Sequence, residues 1–549
     1  MTVCRLQVPV AHDIRSGVSC MTLAVIMLLA TACGAPDDNG KDHAVLHRGN
    51  GPDPGTLDPH RRQDETAGNV LRDVYEGLVV EGPRGDIEPG VARRWRFDEE
   101  GRRIVFELRD DARWCNGDPV TAADFIAGLR RAVDPATAAP FASLLLPLDN
   151  AAAIMAGQLP PAELGVTASG PHALELRLTA PSPWLLHVLA HSIAYPVHRE
   201  SLAAYGDAFA RAGHLVGNGA YCLTEARPQS YLRLDRNPHH WNAAAHSIDT
   251  VYFHTVENLD AELDRYRAGE LDITVSVPPG RLRWVRENLA PDLREAPLLV
   301  SYYLGINLAE PPFRDAPALR RALNLALDRE QMVAAILDAH AMPAYTLVPP
   351  MPAYEMPLPD YASWPYERRL EEARRLYREA GYSAENPLRV ELLSPISSHG
   401  KRLATVIASL WRESLGANIV INQMEWKVFL STKAAGKSPG LYRDGWTADF
   451  GDPLAFLQMF ASDDVSNAYG FNSVRYDQLL ARANTTEFPV ERLQLLAAAE
   501  RELLERDGLI PLYFDYSRHL VRPAVLGWQP HPLDHHPTRY LSIATEPSE

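Results

Sequence analysis

The alternation of strand-like and helical patterns in residues 300–515 is the feature that most constrains the fold of this chain. The apolar residues Leu319, Leu323 and Leu327 recur every four positions, as on the buried face of an amphipathic helix. Strands separated by helices are typical of an α/β domain with a largely parallel sheet, which we predict here. The predicted strands are 302–307, 388–393, 418–422 and 510–513, and the predicted helices are 318–337, 366–380, 401–415, 476–483 and 490–504.

Residues 441–456 (LYRDGWTADFGDPLAF) carry a distinctive candidate site within this region. A strand-like run leads to a single acid, Asp449, with Trp446 and Arg443 shortly before it. The Asp-Pro pair at 452–453 is typical of a helix start, because Asp caps free amides and Pro suits the first helical turn. A lone carboxylate at a strand end can bind an ammonium group. The alternative is an acid in a solvated loop, since Asp is mostly exposed.

The N-terminus predicts export from the cytoplasm. Residues 21–32 (MTLAVIMLLATA) form an uncharged apolar run of signal-peptide length, too short to span a bilayer. Small residues followed by Cys33 resemble a bacterial lipobox. We therefore predict that residues 1–32 are a signal peptide, that Cys33 is lipidated, and that residues 33–43 form a flexible tether. Cleavage without lipidation is the alternative.

Charge and motifs exclude several classes of function. The chain has 54 Lys and Arg against 70 Asp and Glu, a net charge of −16. It contains no basic block to offset repulsion from phosphates, so no nucleic-acid partner is expected. Residues 431–438 (STKAAGKS) end like a phosphate-binding loop but lack its first glycine. Because no nucleophile elbow is present, we predict no cofactor and no enzyme activity; a hydrolase is the alternative.

Two groups of potential disulfide or metal ligands stay open at this stage. Cys115 and Cys222 remain in the mature chain and can pair in an oxidising compartment, but their spacing does not show that they are close. Residues 531–536 contain three histidines and an aspartate. Their spacing matches no helical metal-binding motif, and so we interpret them as histidines of a surface loop.

Short segments in a fixed order along residues 44–545 together resemble one known family. A single segment of this kind does not identify a family. In this order they resemble the bacterial oligopeptide-binding proteins of ABC importers, which are extracellular solute-binding proteins of family 5. The segments are 55–60 (GTLDPH), 75–78 (YEGL), 114–125 (WCNGDPVTAADF), 218–221 (NGAY), 322–329 (ALNLALDR) and 445–449 (GWTAD).

The resemblance implies a fold and a function. The fold is α/β, the two-lobed periplasmic-binding-protein (type II) fold, with an extra domain inserted in lobe I. Lobe I then comprises 44–76, 206–299 and 516–549, the additional domain 77–205, and lobe II 300–515. The implied function is that of a monomeric lipoprotein of the periplasm or cell surface. We expect such a protein to capture extended oligopeptides between the lobes and to deliver them to the permease subunits of an ABC importer.

The resemblance also implies the ligand contacts. The acid matching Asp449 pairs with the peptide's α-ammonium group, basic side chains meet its carboxylate, and strand backbone in both lobes bonds its main chain. The family lysine expected within 334–337 is missing, so the carboxylate clamp is thinner than usual. The predicted contact residues are Asp449, Arg443, Lys433, His399, Pro54, Gly55, Thr56, Trp446, Thr447, Ala448, Tyr302 and Tyr303.

Two alternatives to oligopeptide import remain. The thinned clamp is compatible with the same fold binding another ligand, such as a murein peptide, a dipeptide, haem or a nickel chelate. The second alternative is a periplasmic chaperone or sensor that binds peptides without transporting them.

Overall fold

A computed structural model describes residues 44–544, apart from 279, 338–340, 437–439, 465–466 and 487. The predicted signal peptide, lipid site and tether lie outside these residues. The strands are β1 Val45–Gly49, β2 Val79–Glu81, β3 Ile87–Pro89, β4 Ala92–Asp98, β5 Arg103–Leu108, β6 Val166–Ala168, β7 Ala173–Arg177, β8 Tyr221–Arg227, β9 Tyr231–Arg236, β10 Thr250–His254, β11 Leu293–Ile306, β12 Met342–Pro343, β13 Arg389–Pro395, β14 Asn418–Met424, β15 Leu441–Thr447, β16 Leu509–Leu520, β17 Val525–Leu526 and β18 Ser542–Ile543.

The helices alternate with these strands. Within the described residues, none of them is both long and apolar enough to span a lipid bilayer. They are α1 Glu65–Val74, α2 Ala122–Val133, α3 Ala151–Met155, α4 Leu185–Ala190, α5 Arg199–Tyr205, α6 Leu259–Arg267, α7 Leu282–Asn288, α8 Pro317–Leu325, α9 Arg329–Leu337, α10 Tyr366–Glu379, α11 Ser398–Leu415, α12 Trp426–Ala434, α13 Leu454–Leu457, α14 Val474–Thr485 and α15 Pro489–Glu505.

The single helix predicted over 318–337 is wrong, because α8 and α9 are separate. The reason is Arg329, whose side chain is fully buried. Its guanidinium donates to the carbonyl oxygen of Asn324 at 3.2 Å, to the Asn324 Oδ1 at 2.6 Å, and to the carbonyl oxygen of Pro511 at 2.9 Å. Arg329 thus donates to a free carbonyl group at the C-terminal end of α8 and also to β16, and these bonds hold the break between the two helices in place.

Three sheets carry the architecture. Strands β1-β10-β9-β8 form a sheet in the segments that we assign to lobe I, β4-β5-β7-β6 a sheet in the additional segment, and β12-β16-β11-β15-β13-β14 a sheet centred on the segment that we assign to lobe II. One apolar core joins the first two sheets, since Leu46, Phe106, Phe125 and Val251 belong to the same buried cluster. The additional segment therefore shares an apolar core with the segments that we assign to lobe I.

The sheet of lobe II is mixed, which corrects the prediction of a largely parallel one. Strand β13 runs parallel to β14 and β15, but β11 pairs antiparallel with β15 and β16. The chain enters lobe II along β11 and leaves it along the neighbouring β16. Two adjacent strands used for entry and exit have to run in opposite directions.

Strands β11 and β16 each cross a boundary that we assign between the lobes. Residues Leu293–Pro297 pair with the end of β16, and the pairing resumes at Ser301 after an irregularity. In that gap the Leu299 N–H donates to the Pro532 carbonyl oxygen at 2.8 Å, and the Leu299 carbonyl oxygen accepts from the Ala448 N–H at 3.0 Å. The crossing point is thus bonded to both lobes through one residue.

A disulfide joins Cys115, in the loop before α2, to Cys222 on β8. Their sequence separation is 107 residues, and a cross-link over such a loop restricts the unfolded chain. We expect the double variant Cys115→Ser/Cys222→Ser to have a free energy of unfolding about 2–4 kcal/mol lower, measured by urea denaturation. Reducing agent should weaken the wild type but not the variant. Equal urea midpoints for the two proteins would contradict this.

Candidate ligand-binding site

Strand β15 has an incompletely paired edge near the candidate residues. Strand β11 lies along its whole length, from Leu441 to Thr447. On the other side, β13 pairs with it only at Leu441 and Tyr442. Beyond Tyr442, no strand within the described residues covers this second edge. It is the kind of edge to which an extended peptide adds as a further strand.

The hydrogen-bond alternation of β15 shows which backbone groups face that edge. The Ala448 N–H donates to Leu299 on the β11 side. Because successive residues of a strand direct their N–H groups to opposite edges, those of Gly445 and Thr447 face away from β11. Asp444 Oδ1 accepts from the Gly445 N–H at 3.0 Å. Among the described residues, Thr447 therefore offers its backbone to a ligand, whereas that of Ala448 is used by the sheet.

Asp449 follows this edge directly and carries an uncompensated charge. Within the described part of the chain it has no hydrogen bond or ion pair. Its side chain is accessible at the mouth of a pocket, yet the surrounding protein displaces enough water to raise its pKa, with no contribution from a neighbouring charge. A carboxylate that has lost hydration without gaining a cation is a favourable partner for an ammonium group.

The residues after Asp449 fix its position. The ring of Phe450 stacks on Trp184 of the additional segment, with 5.1 Å between ring centroids. Asp452 Oδ1 accepts from the Leu454 N–H at 2.9 Å, so Asp452 acts at the helix start as its sequence predicts. The same carboxylate pairs with Arg492 at 2.5 and 3.0 Å. Packing and a buried ion pair therefore hold the turn that carries Asp449.

Asp449 lines a pocket with a volume of about 10 Å³. Arg62, Arg72 and His191 also line it. Both arginines pair with Glu65, at 3.6 and 2.5 Å. Arg62 Nη2 also lies 2.7 Å from His191 Nε2, and burial together with the arginines holds the pKa of His191 well below its usual range. These cations already have partners, so none of them neutralises Asp449.

Arg443 and Tyr302 lie together on neighbouring strands. Tyr302 stacks on Tyr513 with 4.6 Å between ring centroids. Burial and Asp515 raise the pKa of Tyr302 against the opposing effect of Arg443, so both charges lie close to its ring. Arg443 Nε donates to Ser394 Oγ at 3.2 Å. The guanidinium has five N–H donors and is half-buried, which suits it to meet a carboxylate.

Lys433 and Tyr303 are placed differently from what the sequence indicates. Lys433 Nζ lies 2.5 Å from Asp444 Oδ2, which also accepts from the Tyr469 hydroxyl at 2.7 Å. The hydroxyls of Tyr303 and Tyr469 are 3.0 Å apart, and Tyr303 is fully buried. Since neighbouring strand residues face opposite sides, Tyr303 points into the core while Tyr302 does not. In this structure Tyr303 is buried in the core and Lys433 is held in an ion pair, and their contacts with a ligand stay predictions.

The other predicted contacts stay predictions. Residues 54–56 form a loop before α1, in which the Gly55 N–H donates to Asp64 Oδ2 at 3.2 Å. Trp446 is half-buried, and its Nε1 is a buried donor without a partner among the described atoms. His399 lies in the first turn of α11, and its side chain lies outside the described ones.

The other residues that line the Asp449 pocket were missed by sequence reasoning. The side chain of His531 is 1% exposed and that of His535 12% exposed, so the interpretation of this segment as a surface loop is wrong. His535 lines the pocket and pairs with Glu81 at 2.5 Å. Residues that meet from positions as distant as 81 and 535 leave no local signal in the sequence.

The chain is similar to known proteins over most of its length. The family model for bacterial extracellular solute-binding proteins, family 5 Middle, matches residues 86–468. The chain is 34% identical to the periplasmic oligopeptide-binding protein OppA of Salmonella typhimurium, over 92% of this chain and 94% of that protein.

Two solved structures resemble the described fold. The murein tripeptide-binding protein MppA in its unliganded open form matches with a TM-score of 0.85 at 31% identity, over 92% of this chain and 98% of that one. The complex of Haemophilus influenzae OppA with the peptide RPPGFSPFR matches with a TM-score of 0.69 at 32% identity, over 92% and 99%.

Proposed function

Because this chain belongs to family 5 of the bacterial extracellular solute-binding proteins, we propose that it captures extended oligopeptides between its lobes and delivers them to the permease of an ABC importer. The relatives named above are peptide-binding proteins rather than enzymes. A lipid anchor at Cys33 and a monomeric state are part of the same proposal. The mass of the mature N-terminal peptide tests the anchor.

The observation that carries the proposal is the uncompensated Asp449 beside an open strand edge. A free linear peptide has one α-ammonium group, and its main chain follows that group directly. Asp449 offers the matching charge, and Thr447 offers backbone groups two residues away. Main-chain bonds and a terminal charge are common to all peptides, so this arrangement binds them without reading their sequence.

The comparison also supports an open conformation for the described structure. Its TM-score is 0.85 against an unliganded open form and 0.69 against a peptide complex of similar identity. A ligand that binds the closed form better shifts the population toward it. We propose that peptide binding closes the lobes, which would appear in solution scattering as a smaller radius of gyration.

Ligand-free protein is expected to bind tri- to pentapeptides by isothermal titration calorimetry. Mild denaturation and refolding should first release endogenous ligand, whose mass identifies it. The same peptides with an acetylated N-terminus serve as the matched control and should bind more weakly, because they lack the ammonium group. Binding of a murein tripeptide but none of the linear peptides would narrow the function to cell-wall peptides. No binding of either class would refute the proposal.

A further inference from the structure

Three groups of histidine and carboxylate side chains in the described residues bring their ligand atoms within 4.8 Å of one another. In two of the groups a histidine is in an unsuitable tautomer for binding a metal. His531 Nδ1 accepts the Leu533 N–H at 3.1 Å, and His198 Nδ1 accepts the Ser201 N–H at 3.2 Å. In the neutral ring the proton then sits on Nε2, which has no lone pair left for a metal. The groups are Glu81–His531–His535, Asp118–His198–Glu200 and His519–Asp534–His536.

The third group has the opposite arrangement. His519 Nδ1 lies 2.9 Å from the carbonyl oxygen of Thr274, to which it donates. This leaves Nε2 as the ligand atom of the neutral ring, and metal-binding histidines are usually held by such a bond from their second nitrogen. The Nε2 atoms of His519 and His536 lie 2.8 and 3.1 Å from the same atom, Asp534 Oδ1. Two imidazoles and a carboxylate thus converge on one point.

We propose that His519, Asp534 and His536 bind a zinc ion. Zinc bonds to nitrogen and oxygen ligands are about 2.0–2.2 Å long, so a tetrahedral site separates its ligand atoms by about 3.3 Å. The two separations from Asp534 Oδ1 have to grow from 2.8 and 3.1 Å toward that value, and all three ligand atoms lie within 4.8 Å of one another. Three protein ligands leave the fourth position of the ion for water. Neither the family match nor the cleft around Asp449 requires this site.

The backbone and the surroundings suit such a site. Asp534 has a φ of 60°, in the left-handed region that few residues other than glycine adopt, and this turn carries its carboxylate to both histidines. Its side chain is 31% exposed, whereas those of His519 and His536 are 8% and 6% exposed. An ion can therefore enter past Asp534. The ring of Trp528 stacks on His536 at 3.6 Å and encloses the other side.

One feature opposes the ion. Arg48 Nη1 donates to the His536 carbonyl oxygen at 2.8 Å, so a guanidinium charge already lies beside the cluster. The nearby Asp73 offsets part of the charge of Arg48.

The test is a zinc titration of the full mature protein after chelator treatment, in competition with a chromogenic chelator. We expect one zinc ion per chain in the wild type, and binding at least about tenfold weaker in His519→Gln and Asp534→Asn. His198→Gln is the matched control, because His198 belongs to a cluster in which the histidine tautomer is unsuitable for metal. This variant should bind zinc as the wild type does. Circular dichroism and melting curves show whether each variant is folded.

Zinc-loaded wild-type crystals give a readout that does not depend on any variant. An anomalous-scattering peak within bonding distance of His519 Nε2 and His536 Nε2 would support the proposal. A peak elsewhere, no bound zinc in the wild type, or equal affinities for folded His519→Gln and the wild type would each overturn it.

Discussion

Replacing Asp449 by asparagine is expected to weaken peptide binding by about ten- to hundredfold, because a hydrogen bond to a charged group contributes about 1.5–3 kcal/mol. Asparagine keeps the size of the side chain but removes the charge that meets the peptide's ammonium group. Calorimetry with one unmodified tripeptide at neutral pH measures the change. The peptide affinity of the wild type should also fall as the pH is lowered. Because burial raises the pKa of Asp449, this fall should begin at a pH above the pKa of an ordinary aspartate.

An acetylated peptide separates this effect from general damage to the site. The acetylated form should bind Asp449→Asn and the wild type equally, since neither pair contains the charge interaction. Asp463→Asn, at an exposed acid of lobe II, is the control variant and should leave affinity unchanged. The ligand-free Asp449→Asn protein should be at least as stable as the wild type, because the charged carboxylate has no partner to lose. If Asp449→Asn lost the same affinity for the unmodified and the acetylated peptide, Asp449 would not be the residue that binds the ammonium group.

Replacing Glu76 by glutamine is expected to lower the free energy of unfolding at pH 7 by about 3–5 kcal/mol. Glu76 is 1% exposed. Its Oε2 accepts from Arg539 at 2.8 Å and from His240 at 2.9 Å, and its Oε1 accepts from Trp241 Nε1 at 2.8 Å. Glutamine would turn an N–H₂ group toward donors and leave the buried Arg539 without its counterion. Urea denaturation measures the loss.

The pH dependence distinguishes the charge of Glu76 from its packing. Against the effect of burial, the hydrogen bond and charge of His240 and the charge of Arg539 lower the pKa of Glu76 from 4.5 to about 2. The unfolded chain binds more protons between these values, so this contribution is complete above about pH 4.5 and is lost as the pH falls toward 2.

The stability difference between wild type and Glu76→Gln should therefore shrink as the pH is lowered through that window. Glu270→Gln removes a surface ion pair with Arg265 and is the matched control, with an expected effect of at most about 1 kcal/mol. A difference that stays constant from pH 7 to pH 3 would mean that packing, not charge, accounts for the loss.

Local periodicity predicts much of this fold. Helices α10 and α15 and strand β5 are amphipathic or alternating within a single segment, so their positions follow from the sequence alone. The break between α8 and α9 does not, because it depends on Arg329 reaching a carbonyl on β16. The mixed sheet likewise follows from where the chain enters and leaves lobe II, which no short window contains.

The candidate site shows the same division. Asp449 and Arg443 are identified by resemblance within one segment, and the structure leaves Asp449 accessible and unpaired in its described surroundings. The pairing of Lys433 with Asp444 spans only eleven residues, yet whether such a lysine faces the cleft or the core depends on how α12 packs on the sheet. Arg62, His191 and His535 are far apart in the sequence and come to line one pocket only through the tertiary fold.

The hydrogen bond from Ala448 to Leu299 has a consequence for the order of events during capture. In a rotation of one body against another, displacement grows with distance from the axis. Leu299 lies where the chain crosses between the lobes, and Asp449 is two bonded steps away from it. In the lobe closure that we propose, Asp449 would therefore sit at a small radius and move little, while the outer rims of the lobes would move furthest. Our proposal then has the peptide amine bound at Asp449 before the lobes close over the rest of the peptide.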